Sequence, residues 1–122
     1  MKGDPIEGQI MQLIAAKASV GPSRIPSLID DAQSHLTEQL GQYRREYERV
    51  LADTEYDIFF VESGHWEEVG DQLAFSDAET DAVFRAHRAQ LLRIGRRKDR
   101  LEEFEMALEI REPLIIGTEK GG

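Results

Sequence analysis

Residues 93–100, RIGRRKDR, bring Arg93, Arg96, Arg97, Lys98 and Arg100 within eight positions. Guanidinium groups at that density can fork onto phosphate oxygens or guanine edges, so this segment is the chain's candidate nucleic-acid contact. From Arg85 to Arg100 seven cations stand against one acid, Asp99, whereas residues 53–84 carry ten acids and no Lys or Arg. A polyanion binder needs such a concentrated patch, because its affinity comes from counter-ions released at phosphates. The rest of the chain opposes that use. Its net charge is −9, and neighbouring acids can neutralise the patch from within. Asp81 precedes Arg85 by one helical turn and Arg100 faces Glu103. No aromatic residue interleaves with the cations between Phe84 and Phe104, as single-strand binders require. Two expectations follow in order: an ion-paired surface or subunit contact first, a phosphate contact second.

Metal and acid–base chemistry are less well provided for. Glu62-Ser-Gly-His65 has the Glu-x-x-His spacing of bundle di-metal sites, but the chain contains no second copy of that motif. Asp31 and His35 lie one helical turn apart and read as a surface pair, and His87 reads as a core-facing imidazole. There is no cysteine, which excludes thiolate ligands, disulfides and Cys nucleophiles. The acidic pairs Asp30-Asp31, Glu67-Glu68 and Glu102-Glu103 are sequence neighbours, which a helix points about 100° apart. They do not converge on one substrate atom. No nucleophile–base–orienter set and no glycine-rich phosphate loop is legible. The expectation is a non-enzymatic protein without catalytic residues, cofactor or metal.

The elements that must position these residues read mainly as helix. Asp4, Pro5 and Glu7 suggest the cap, first position and capping-box partner of a helix with the stripe Ile6, Ile10, Leu13 and Ile14, ended by Val20-Gly21-Pro22. A longer amphipathic helix is expected from about Ser27, with Ile29, Ala32, Leu36, Leu40, Tyr43, Tyr47 and Val50 spaced three or four apart. So narrow a stripe needs a partner, which makes Ile29, Leu36, Leu40, Tyr43, Tyr47 and Val50 the candidate homodimer interface. YDIFFVE, residues 56–62, is short, aromatic and β-branched and predicts a strand. HWEEVGDQL follows as a short helix with Trp66, Val69 and Leu73 on one side. Ser76-Asp77-Ala78-Glu79 is a capping box opening a helix that buries Val83, His87, Leu91 and Ile94.

A break at Gly95 is favoured over one continuous helix, with helix favoured over strand for residues 103–110. PLIIG, residues 113–117, is the second strand and the partner of YDIFFV. Residues 13–29 hold two apolar helical segments around a Gly-containing turn. Pro22 and Pro26 make an ordinary αα-corner a better reading there than a DNA-reading motif. A second such candidate runs from Ser76 across Gly95.

Composition sets the outer bounds. The acids number 24, and the 15 cations are 11 Arg and four Lys, the balance of a protein kept soluble in concentrated salt. No apolar run approaches the roughly 20 residues of a membrane span. The opening MKGDPIEGQ has an acid and a proline where a secretory signal has its apolar core, so a cytoplasmic location is expected. The closing Gly-Gly matches the tail of ubiquitin-like carriers, whose β-rich fold this helical pattern does not share, so residues 118–122 are expected to be a flexible tail. The expectation is one domain over residues 1–122, mainly α with a small two-stranded β element. Its long amphipathic helices would pack as a helical homodimer. Its function would be interaction or assembly, with itself or another protein and no membrane. The alternative is a small DNA-binding transcriptional regulator.

Overall fold

The computed structural model describes residues 5–118. Helix α1, Gly8–Lys17, is followed by a 3-10 turn and α2, Ile25–Glu38. A short α3, Leu40–Glu46, leads into strand β1, Glu48–Ala52, and strand β2, Tyr56–Glu62. Then come α4, His65–Gln72, α5, Asp77–Arg97, α6, Leu101–Ala107, and strand β3, Arg111–Gly117. The three strands form one antiparallel sheet in the order β1-β2-β3. The fold is therefore mixed α and β, which corrects the expected helical protein with a two-stranded element. YDIFFVE and the segment containing PLIIG do pair, with Ile58 opposite Ile115 and Phe60 opposite Pro113.

The third strand comes out of the supposed long helix. The chain stops being helical at Gln39 (φ −107, ψ 10), restarts at Leu40, and is extended from Tyr47 onward. The break seats Tyr43 against Phe59, ring centroids 5.7 Å apart, and brings the Arg44 guanidinium within 2.7 Å of the buried Asp57 carboxylate. The expected seam residues consequently lie in the chain's own core. Ile29, Leu36 and Tyr43 are buried, while Leu40, Tyr47 and Val50 pack partly buried around them. Spacing of three and four is common to two short helices in series, so periodicity alone could not register the change of direction.

Residues 57–61 of β2 and 113–117 of β3 are all buried, so both faces of these strands are covered. Phe59 and Phe60 point to opposite faces. Tyr43 covers the first, and Phe104 of α6 meets the second edge-on at 5.9 Å. Helix α5 opens with the expected capping box, Ser76 Oγ accepting from the Glu79 N–H while Glu79 Oε1 accepts from the Ser76 N–H. It also buries Val83, His87, Leu91 and Ile94.

The expected break at Gly95 is displaced by three residues. The helix runs to Arg97, and Asp99 takes the left-handed conformation at φ 58. The Arg100 N–H then bonds the Gly95 carbonyl at 2.8 Å, a Schellman closure. Gly95 is needed for close approach rather than for ending the helix, since a Cβ there would lie 3.0 Å from the Phe104 ring and 3.2 Å from Leu101 Cα. Residues 101–107 are helical, as preferred over a strand.

The start of α1 also differs. Its N-cap is Glu7, which makes no side-chain cap, and Leu13 lies 47% exposed while Ile6, Ile10 and Ile14 are buried. Asp4 and residues 119–122 lie outside the described residues. Thr118 is tied down by its N–H to Glu55 O and its hydroxyl to Thr54 O.

Candidate functional site

The basic segment is largely spent on the protein itself. Arg97 grips Glu7 with two bonds of 2.6 and 2.9 Å, and Arg93 reaches the same carboxylate at 3.1 Å. Gln90 closes the knot, donating to Glu7 Oε2 and accepting from the Glu7 N–H. The Arg97 guanidinium, helped by Gln90 and Arg93 against a partial desolvation cost, holds the Glu7 carboxyl down at about 2. Lys98 pairs with Asp53 at 3.6 Å, Arg100 with Glu103 at 2.7 Å, and Arg85 with Asp81 at 2.9 Å. The last two are the pairs read from spacing. Arg100 also stacks over Phe104 at 4.8 Å. Arg88 and Arg96 are exposed and have no ion pair among the described residues. In residues 13–29, the first stretch weighed as a DNA-reading motif, Arg24 is held by Glu79 at 2.7 Å.

His87 is the core imidazole that was expected, and it has a structural duty. Its Nδ1 accepts the Ile115 N–H at 3.1 Å. Gln33 accepts from the Gly117 N–H and donates to Ile115 O, and Trp66 Nε1 donates to Pro113 O. These side chains take the place of a fourth strand along β3. Burial holds the His87 ring down to about 3, so it stays neutral. His35 does not pair with Asp31; its Nε2 lies 2.7 Å from Gln72 Oε1 and 3.0 Å from Gln39 Nε2.

Around His65 the tertiary structure assembles something the spacing showed only in part. Gly64, at φ 95, makes the turn from β2 into α4, and Glu112 caps that helix start through the Gly64 and Trp66 N–H groups at 2.9 Å each. His65 is 7% exposed. Its Nε2 is 2.6 Å from Tyr43 Oη and its Nδ1 3.3 Å from Glu62 Oε2. Burial, together with Tyr47 and the charges of Glu62 and Glu68, pushes the Tyr43 hydroxyl above its ordinary value, so it stays protonated. Its own backbone N–H and then the His65 ring hold Glu62 below the usual carboxylate range. A donor atom from each of Glu62, His65 and Glu68 lies within 4.8 Å of the other two. Beside them opens a cavity of about 130 Å³ bordered by Tyr43, Tyr47, His65, Glu68 and the amides of Gln39, Gln42 and Gln72.

A larger groove runs between α4 and α5. It encloses about 600 Å³ and is bordered by Glu67, Asp71, Asp77 and Asp81, with Phe84 supplying apolar surface beside the buried Trp66. The four carboxylates are exposed and Phe84 is half-buried. Glu67 and Asp71 are one turn apart on α4, as are Asp77 and Asp81 on α5. Like charges at that spacing cost a helix about 0.2–0.5 kcal/mol per pair.

A family model for a domain of unknown function, DUF8048, matches residues 4–118. The chain belongs to that family. No curated protein and no solved structure matches it. No helix among the described residues is long and apolar enough to cross a membrane. The groove went unread in the sequence because its two acidic rows belong to different helices. Only the i,i+4 repetition of acids within each helix hinted at it. Glu68 went unread as a third neighbour of the Glu62–His65 pair because Glu-x-x-His was compared with paired motifs on regular helices, whereas here Glu62 ends a strand and Glu68 follows one turn into the next helix.

Proposed function

We propose that this protein is a non-enzymatic interaction module that docks a cationic, Lys/Arg-bearing segment of a partner protein in the groove between α4 and α5. The observation that carries the reading is the convergence of Glu67, Asp71, Asp77 and Asp81 on one groove with Phe84 and Trp66 beside them. Asp81 is already paired with Arg85, but Glu67, Asp71 and Asp77 have no ion pair among the described residues, so a cationic partner would relieve their mutual repulsion, and the half-buried Phe84 ring suits the stems of its Lys and Arg side chains. The net charge of −9 steers such a partner from a distance, most strongly at low salt. The alternative of a DNA-binding regulator through Arg93, Arg96, Arg97, Lys98 and Arg100 loses support from the ion pairs that occupy four of these five residues.

The test is fluorescence anisotropy with a labelled Lys/Arg-rich amphipathic peptide and, in parallel, labelled duplex DNA, at several KCl concentrations. The expected result is saturable peptide binding that weakens with salt, falls about tenfold or more in the Asp71→Asn/Asp77→Asn variant, and survives Asp30→Asn. Peptide binding indifferent to the groove variant sinks the proposal. DNA binding abolished by Arg88→Glu/Arg96→Glu would replace it with the nucleic-acid reading.

A further inference from the structure

A second cluster of side chains lies apart from the groove, around His65. His65 offers a buried imidazole whose Nε2 is occupied by the Tyr43 hydroxyl at 2.6 Å, which leaves Nδ1, the nitrogen facing Glu62, for a ligand. The Nδ1–Glu62 contact is long, 3.3 Å. Glu68 is exposed and makes no side-chain hydrogen bond or ion pair among the described residues, and Glu62 is exposed, its carboxylate touched by that contact and by its own backbone N–H. One rigid nitrogen and two adjustable carboxylates, none farther than 4.8 Å from another, thus surround a common point.

We propose that Glu62, His65 Nδ1 and Glu68 bind one divalent first-row transition ion of the zinc class. Imidazole with carboxylates is the donor set such ions take, at about 2.0–2.2 Å from each ligand atom. Tetrahedral ligands at that radius stand roughly 3.3 Å apart. The observed spacing therefore has to close by about 1.5 Å at most, within the rotamer freedom of two exposed glutamates. Glu62 ends β2 and His65 opens α4, with Glu68 one turn along, so the three come from a strand–turn–helix unit held by Gly64 and by the Glu112 cap.

Tyr43 is the positioning residue. With no ion its hydroxyl donates to Nε2 while the Nδ1 proton faces Glu62. With an ion on Nδ1 the ring proton sits on Nε2 and the same hydroxyl accepts it, a reversal a hydroxyl permits and a carbonyl does not. Three protein ligands leave a fourth position for water.

The experiment titrates chelator-stripped protein with ZnCl2 by calorimetry in KCl high enough to screen loose counter-ion binding, while two-dimensional NMR follows the His65 ring nitrogens. One ion per chain is expected, with a shift at Nδ1. Glu68→Gln and Glu62→Gln each weaken binding at least tenfold, Tyr43→Phe about 10–100-fold, and Glu105→Gln leaves it unchanged. His65→Ala removes it, and should that variant not fold, the exposed Glu68→Gln decides alone. Absence of binding, several weak ions per chain, or binding indifferent to Glu68→Gln overturns the site. None of these results depends on whether a peptide occupies the α4–α5 groove.

Discussion

The two edges of the sheet solve the same problem in opposite ways. Along β3 the outward backbone is buried from Pro113 to Gly117, and four of its polar groups are matched by side chains brought from elsewhere. His87 takes the Ile115 N–H, Gln33 takes Ile115 O and the Gly117 N–H, and Trp66 takes Pro113 O. Pro113 itself has no N–H to satisfy. Along β1 the strand is short and half-exposed, slips register between Arg49 and Leu51, and carries Glu48 and Arg49. Water serves most of that edge, while the bulge and charges discourage a foreign strand. An open edge tolerates substitution because solvent supplies the missing partner. A closed edge does not, because a buried backbone group that loses its partner keeps the full desolvation cost.

Substitutions should divide along that line, and urea unfolding at constant slope would measure it. Trp66→Ala is the largest, about 4 kcal/mol, combining a large buried cavity with an unpaired Pro113 carbonyl. His87→Ala should cost about 3 kcal/mol, part cavity and part orphaned Ile115 N–H. Gln33→Ala, at a half-buried position where water can partly substitute, should cost about 2 kcal/mol. On the other edge, Glu48→Ala should stay within about 0.5 kcal/mol, since the Arg111–Glu48 pair it removes is exposed. A Glu48 cost comparable with that of Gln33 would erase the distinction.

Acid sharpens it further. His87 remains neutral in the fold and gains a proton in the unfolded chain below its ordinary 6.5, so the unfolded state binds more protons. Stability that is complete above 6.5 is lost as pH falls toward about 3, at up to about 1.4 kcal/mol per pH unit. Glu7, held down to about 2, contributes stability present above 4.5 and lost as pH falls through about 2. Because Glu7 is partly exposed, its share is about 1–2 kcal/mol. His87→Gln, which keeps an acceptor for the Ile115 N–H, should remove the loss between 6.5 and 4.5 and leave the lower one. A variant that loses stability over the upper range as steeply as the parent would place that sensitivity elsewhere.

Features that depend on nearby residues were legible from the sequence. The capping box at Ser76, the buried face of α5, the pairing of YDIFFVE with the PLIIG segment and the Arg85–Asp81 and Arg100–Glu103 pairs each rest on residues a few positions apart or on strong strand patterns. The sequence alone also determined that thiol chemistry is excluded and that an acid-rich surface surrounds a dense run of arginines. Other features needed the folded chain. Strand β1 hid inside a helical spacing, because ERVLA is too polar and too short to advertise a strand and the break at Gln39 leaves no periodic trace. The Glu7 knot on α5, the acidic groove between α4 and α5, and the meeting of Tyr43 with His65 join residues 22 to 90 positions apart or on separate elements. Local propensity acts over a turn or two of chain. Which distant side chain completes a buried edge, neutralises a cation or faces an imidazole is settled only when packing brings the elements together and leaves no water to do it instead.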